Sequence, residues 1–82
     1  MHEVVIVYCQ PCGYLRKAQA AADAVRGELG LSVKLEPGKA GIYEVRVGDE
    51  VVLRRKPGWF PAPGDVVEAV RSARTRPSLE RS

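Results

Sequence analysis

Val4-Val5-Ile6-Val7-Tyr8 is an unbroken apolar run, β-branched at its first four positions. It predicts a short strand that is buried on both faces or flanked by neighbours. Past Cys9-Gln10-Pro11-Cys12-Gly13 the period changes. Leu15, Ala18, Ala22, Val25 and Leu29 step by three and four, which makes one continuous stripe on a helix running to about Leu29. Pro11 suits the first turn of that helix, where its missing N–H costs nothing, and Gly30 suits its end. Ser32 to Glu36 then alternates with Val33 and Leu35 inward, a second strand. A strand–helix–strand unit implies a right-handed crossover and a parallel pair.

Pro37 to Gly41 reads as a turn, and Ile42–Val47 and Val51–Lys56 as two strands of a hairpin around Gly48-Asp49-Glu50. A two-residue turn would pair Val47 with Glu50 and set Val51 and Leu53 on the face of Glu44 and Arg46. A three-residue or bulged turn pairs Val47 with Val51 and Val45 with Leu53, and is preferred because it keeps the apolar residues together. Pro57 to Gly64 is a loop carrying Trp59 and Phe60. Asp65 with Glu68 then reads as a capping box for a last helix bearing Val66, Val67, Val70 and Ala73.

The order βαβββα puts strand 1 in the middle, strand 2 parallel on one side and the hairpin on the other. The expected class is α/β, a two-layer sandwich with a four-stranded mixed sheet. Both helices should cover one face, because Ile42, Glu44 and Arg46 leave the other half polar. This is the minimal thioredoxin-like arrangement. Residues 1–74 form the single domain, and the polar stretch 75–82 is expected to be a frayed tail.

A chain of 82 residues makes one small domain that buries only about 60% of the surface its unfolded form exposes. The net charge of +3 is mild; nucleic-acid binders concentrate their charge on one face, so no nucleic-acid partner is expected. No stretch approaches the roughly 18 apolar residues needed to cross a bilayer. Met1-His2-Glu3 lacks the start of a signal peptide, so the expected location is the cytoplasm.

That location bears on Cys9 and Cys12, because cytosolic thiols are kept reduced. A cytosolic Cys-x-x-Cys points to catalysis or metal binding rather than a structural staple. Zinc usually takes four Cys or His ligands, and His2 is the one histidine, so a zinc site would need two chains. No metal or cofactor is expected. At a helix start, unpaired N–H groups favour a thiolate, the species that attacks disulfides. The first position, Cys9, is by default the more exposed sulfur. Arg16, four residues after Cys12 on the same helical face, could instead steady a thiolate on Cys12. Strand 4 runs parallel to strand 1, so Arg54-Arg55-Lys56, Trp59, Phe60 and the Gly38–Gly41 turn should emerge at the same sheet edge as the sulfurs. Such a rim suits glutathione or an acidic partner protein. The plainer alternative is that Trp59 and Phe60 cap the core while the basic triplet blunts an edge strand. Tyr8 and Tyr14 read as packing groups. The oligomeric state stays open, since the outer edges of strands 2 and 4 could each pair with another chain.

Val5-Ile6-Val7-Tyr8-Cys9-Gln10-Pro11-Cys12-Gly13-Tyr14 resembles the opening of selenoprotein W-like proteins, the Rdx family. Gly41-Ile42-Tyr43-Glu44-Val45-Arg46-Val47 and Lys56-Pro57-Gly58-Trp59-Phe60-Pro61 are similar to that family's later motifs, so the resemblance spans about residues 4 to 74. It implies a thioredoxin-like fold and a redox role, with glutathione or protein thiols as partners. The position of Cys12 matches the selenocysteine of selenium-containing members. The candidate site is then Cys9 and Cys12 for catalysis, with Gly41, Trp59, Phe60 and Arg16 for binding substrate. An alternative is a redox-sensitive protein-binding module with little turnover. Compared with thioredoxins proper, Val4 to Tyr8 lacks a buried carboxylate, and Gly41 stands where they place a cis-proline.

Overall fold

The computed structural model describes residues 3–75. The elements are β1 (Val4–Tyr8), α1 (Leu15–Leu29), β2 (Val33–Pro37), β3 (Tyr43–Val47), β4 (Glu50–Arg54) and α2 (Pro63–Thr75). They form one four-stranded sheet in the order β2-β1-β3-β4. β1 is parallel to β2 and antiparallel to β3, and β3 is antiparallel to β4. The expected mixed sheet is therefore observed. The tail after 75, and His2, lie outside the described residues.

Registers explain which face is buried. Val4, Ile6 and Tyr8 of β1 stand beside Val33 and Leu35 of β2 and beside Tyr43, Val45 and Val47 of β3. That face packs into one core with Ala18, Ala21, Ala22 and Val25 of α1 and Val66, Val67 and Val70 of α2. Both helices thus cover one side of the sheet. Alanines on α1 let the helix approach closely, so the small chain fills its interior mainly with valine and tyrosine. α1 ends as expected, on Gly30 at φ 69°, whose N–H reaches the Arg26 carbonyl.

Three local expectations are corrected. First, α1 begins at Leu15, so Pro11 and Cys12 lie in a turn ahead of the helix and not in its first turn. Gly13, at φ 80°, breaks the helical path between Cys12 and Leu15. Second, the hairpin combines both registers that the sequence allows. Val47 faces Glu50 across a two-residue turn whose first member, Gly48, has φ 62°. A bulge at Val52 then restores the Val45–Leu53 pair, so the apolar match survives by insertion of one residue rather than by a longer turn. Third, α2 starts two residues earlier than the proposed cap. Pro63 takes the first helical position, and the Asp65 carboxylate accepts from the Ala62 N–H at 2.9 Å, reaching back across the first turn. Glu68 instead pairs with Arg71.

The uncovered face is less polar than its sequence suggests. Val7 is 7% and Glu44 8% exposed. The Glu44 carboxylate takes two hydrogen bonds from Arg46, at 2.7 and 3.0 Å, and lies 3.9 Å from Arg54. The Pro37–Gly41 turn folds against this side: a Cβ on Gly38 would stand 2.5 Å from Val7 Cγ1 and 3.0 Å from Ile42 Cγ2.

Candidate redox site

Cys9 follows β1 directly and Cys12 sits three residues on, joined to it by a disulfide with a Cα–Cα distance of 5.3 Å. The loop between them is a turn closed by its own backbone. Gly13 N–H donates to the Gln10 carbonyl at 3.1 Å and Tyr14 N–H to the Cys9 carbonyl at 3.3 Å. The exposure of the two sulfurs reverses the expectation from position. Cys9 is 0% exposed whereas Cys12 is exposed. The reason is tertiary: Cys9 directly follows the central strand, which has a neighbour on each side, and Cys12 stands on the turn beyond it.

Around this turn three aromatic rings meet. Tyr14 lies edge-on to Phe60 at 4.9 Å and to Tyr43 at 6.3 Å, and Tyr43 tilts against Phe60 at 4.5 Å. Lys17 Nζ stands 4.8 Å from the Phe60 ring centre. Tyr43, 1% exposed, donates its hydroxyl to the Lys17 carbonyl at 3.3 Å. Burial pushes its phenol up to about 12, because the ionised form would lose its water. Phe60 therefore packs as part of the core margin and also props the residue that follows the cysteine turn.

Arg55 is the member of the set that sequence reasoning did not single out. Its backbone N–H binds the Tyr43 carbonyl at 3.0 Å, extending the β3–β4 ladder. Its Nη1 donates to the Gly41 carbonyl at 3.2 Å, and the guanidinium lies 6.0 Å from the Tyr14 ring centre. The side chain thus ties the turn before β3 to the turn that carries the cysteines. Within Arg54-Arg55-Lys56 nothing in composition marks the middle residue as the inward one; alternation along β4 was the available signal. Arg54 and Lys56 are exposed.

Of the proposed binding residues, Gly41 and Phe60 are connected to the cysteine turn through Arg55 and Tyr14. Gly41 adopts φ 76°, and the described residues hold no cis peptide bond. Arg16 is an exposed residue of α1, and since Cys12 precedes the helix the two do not share a helical face. Trp59 is 43% exposed and lines a groove beside β4 with Val51, Val52, Leu53, Arg54 and Lys56. That strand is two places from β1, about 10 Å at ordinary strand spacing. Among the described residues no three His, Cys, Asp or Glu side chains gather as a metal site, and no helix is long and apolar enough to cross a membrane.

The chain is similar in sequence or fold to known proteins. A protein of Bordetella parapertussis of known structure superposes with a TM-score of 0.79 at 26% identity, over 88% of this chain and 96% of that one. A selenoprotein W-related protein from Vibrio cholerae superposes with a TM-score of 0.78 at 21% identity, over 88% and 95% of the two chains, a likeness of fold. Migration and invasion enhancer 1 of Bos taurus, and that of Mus musculus, are each 30% identical over 80 residues, covering 95% of this chain and 70% of theirs. The model of the Rdx family matches residues 3–72, from the strand before the cysteines to the last helix. With a thioredoxin-like sheet, a closed Cys9–Cys12 pair and a family match over most of its length, this chain belongs to the Rdx family.

Proposed function

We propose that this protein is a thiol–disulfide redox protein that cycles Cys9 and Cys12 with glutathione or protein thiols, and that Cys12 is the attacking sulfur. The observation that carries this reading is the asymmetry of the pair, a buried Cys9 beneath an exposed Cys12. In the reduced protein the Cys12 thiolate attacks one sulfur of a partner disulfide. A Cys12–partner mixed disulfide forms and the other partner sulfur leaves as a thiolate. The Cys9 thiolate then attacks Cys12 Sγ, closing the Cys9–Cys12 bond and releasing the second partner sulfur. Two electrons pass from the pair to the partner, and the partner's sulfurs take up the two protons. The α1 N-terminus, beginning at Leu15 just beyond the turn, favours negative charge on this side.

The experiment is a redox titration. The protein is equilibrated across defined ratios of reduced to oxidised glutathione, quenched with alkylating agent and weighed by mass spectrometry. The expected result is a two-electron transition between a doubly alkylated and an unalkylated form. A chain that never closes the intramolecular disulfide at any ratio would overturn the reading.

A redox-sensitive binding module is the second reading. Tyr14 favours it, since that residue binds the Cys9 carbonyl through its backbone and packs on Phe60. It predicts partner capture that changes on oxidation, with no steady-state turnover.

A further inference from the structure

β4 ends the sheet and, among the described residues, pairs with β3 only. Beside it runs a shallow groove of about 310 Å³ lined by Val51, Val52, Leu53, Arg54, Lys56 and Trp59. Lys56 and Trp59 close a tight turn on each other through two backbone hydrogen bonds, of 3.1 and 2.9 Å. That turn stands the indole at the end of the strand, and Trp59 is the exposed large hydrophobic residue of the described chain. The lining therefore combines an open strand edge, three aliphatic residues, an aromatic end wall and two cations, of which Arg54 lies 3.9 Å from Glu44 and Lys56 is exposed.

We propose that the β4 edge is a docking site for an extended, acidic peptide segment of a partner protein, which adds to the sheet as a fifth strand. Main-chain hydrogen bonds to β4 supply affinity in this mode, and alternate side chains supply specificity. Apolar side chains of the segment lie beside Val52 and Leu53 on the helical face and reach Trp59 at the end of the groove, while its carboxylates face Arg54 and Lys56 on the other. A second copy of this chain pairing edge to edge is the competing occupant, and it would show as a blue shift that appears with protein concentration alone. A nucleic acid is also disfavoured, because Arg55 turns inward to Gly41 and leaves two cations flanking an apolar floor. The proposal stands on the strand edge and holds whether or not the cysteine pair turns over.

Trp59 is the single tryptophan, so its emission reports on this groove. The test titrates the whole chain with a capped hexapeptide that alternates valine and glutamate. Three controls accompany it: the lysine counterpart, the same acidic peptide N-methylated at alternate residues, and a single-stranded oligonucleotide. The expected result is a blue shift of Trp59 emission with the acidic peptide and backbone amide shifts centred on Val51 to Arg54. Binding should be at least about tenfold tighter than for the lysine peptide and lost on N-methylation. Lys56→Glu, an exposed change whose folding circular dichroism checks, should reverse the charge preference. Absence of binding, equal binding of both charges, survival of binding on N-methylation or amide shifts elsewhere would each overturn the proposal. So would preference for the oligonucleotide, or a blue shift that appears with protein concentration alone.

Discussion

Arg55 Nη1 binds the carbonyl of Gly41 at 3.2 Å, and through that bond the turn before β3 is fastened to the strand end that faces the cysteine turn. The same guanidinium lies over Tyr14. Replacing Arg55 by Ala removes a charged hydrogen bond and a cation–π contact together, and should cost about 2 kcal/mol in urea unfolding of the oxidised protein. Arg55→Lys keeps the charge but loses the planar fork, so it should recover less than half of that loss. Equal stability of Arg55→Ala and the parent would show that the clamp contributes nothing.

The asymmetry of the pair predicts an asymmetry of single variants. In Cys9→Ser the remaining Cys12 is exposed, and it should be alkylated and form mixed disulfides readily. In Cys12→Ser the remaining Cys9 is buried, and it should react at least about tenfold more slowly with iodoacetamide. Time-resolved mass spectrometry of the two variants measures the ratio. A faster Cys9 would assign the attack to the other sulfur.

Tyr43 links stability to alkaline pH. Its folded pKa is raised to about 12 while the unfolded phenol titrates near its ordinary 10. Below 10 both states hold the proton and the contribution is complete. Between 10 and 12 the unfolded state releases its proton first, so stability falls as pH rises through that window, by on the order of 2 kcal/mol. Tyr43→Phe should be less stable at neutral pH, having lost the bond to Lys17, yet flatter across pH 10 to 12. Unfolding curves of the two proteins at several alkaline pH values make the comparison, and parallel slopes would exclude Tyr43 as the group responsible.

Asp65 predicts a smaller, local effect. Its carboxylate is the partner of the Ala62 N–H at the start of α2. Asp65→Ala should therefore lower stability by about 1 kcal/mol. Glu68→Ala, which loses only an exposed pair with Arg71, should cost a few tenths. Thermal unfolding of both variants separates the observed cap from the one read from spacing.

Most of the topology was legible because apolar periodicity reports burial. The Val4–Tyr8 run, the stripe from Leu15 to Leu29 and the alternation of Val33 and Leu35 each appear as read. What escaped the pattern lies where one residue changes role without changing type. A bulge at Val52 inserts a residue that no period-two count can place. Gly13 could be read as the continuation of a helix, and only its φ of 80° shows that it is a break. Cys9 and Cys12 are identical in sequence terms, so their exposures were set by the direction of the strand rather than by their order. Arg55 looked like the middle of a basic triplet, yet a strand alternates, and its side chain went inward to Gly41.

Glu44 carries a consequence for how the chain finds this fold. It faces Val7 on one side and Arg54 on the other, on the uncovered face of the sheet, with Arg46 holding the carboxylate. A slip of one residue in β3 would carry Glu44 and Arg46 together to the helical face, against Ile6 and Val66, send Val45 and Val47 to the uncovered face, and part Glu44 from Arg54. Burying that ion pair among apolar side chains costs several kcal/mol of desolvation, whereas the correct alignment leaves it at the sheet surface at little cost. Glu44 thus acts as a proofreader of strand alignment: it gives the finished protein little extra stability, and it makes the neighbouring misfolded alignment expensive to occupy.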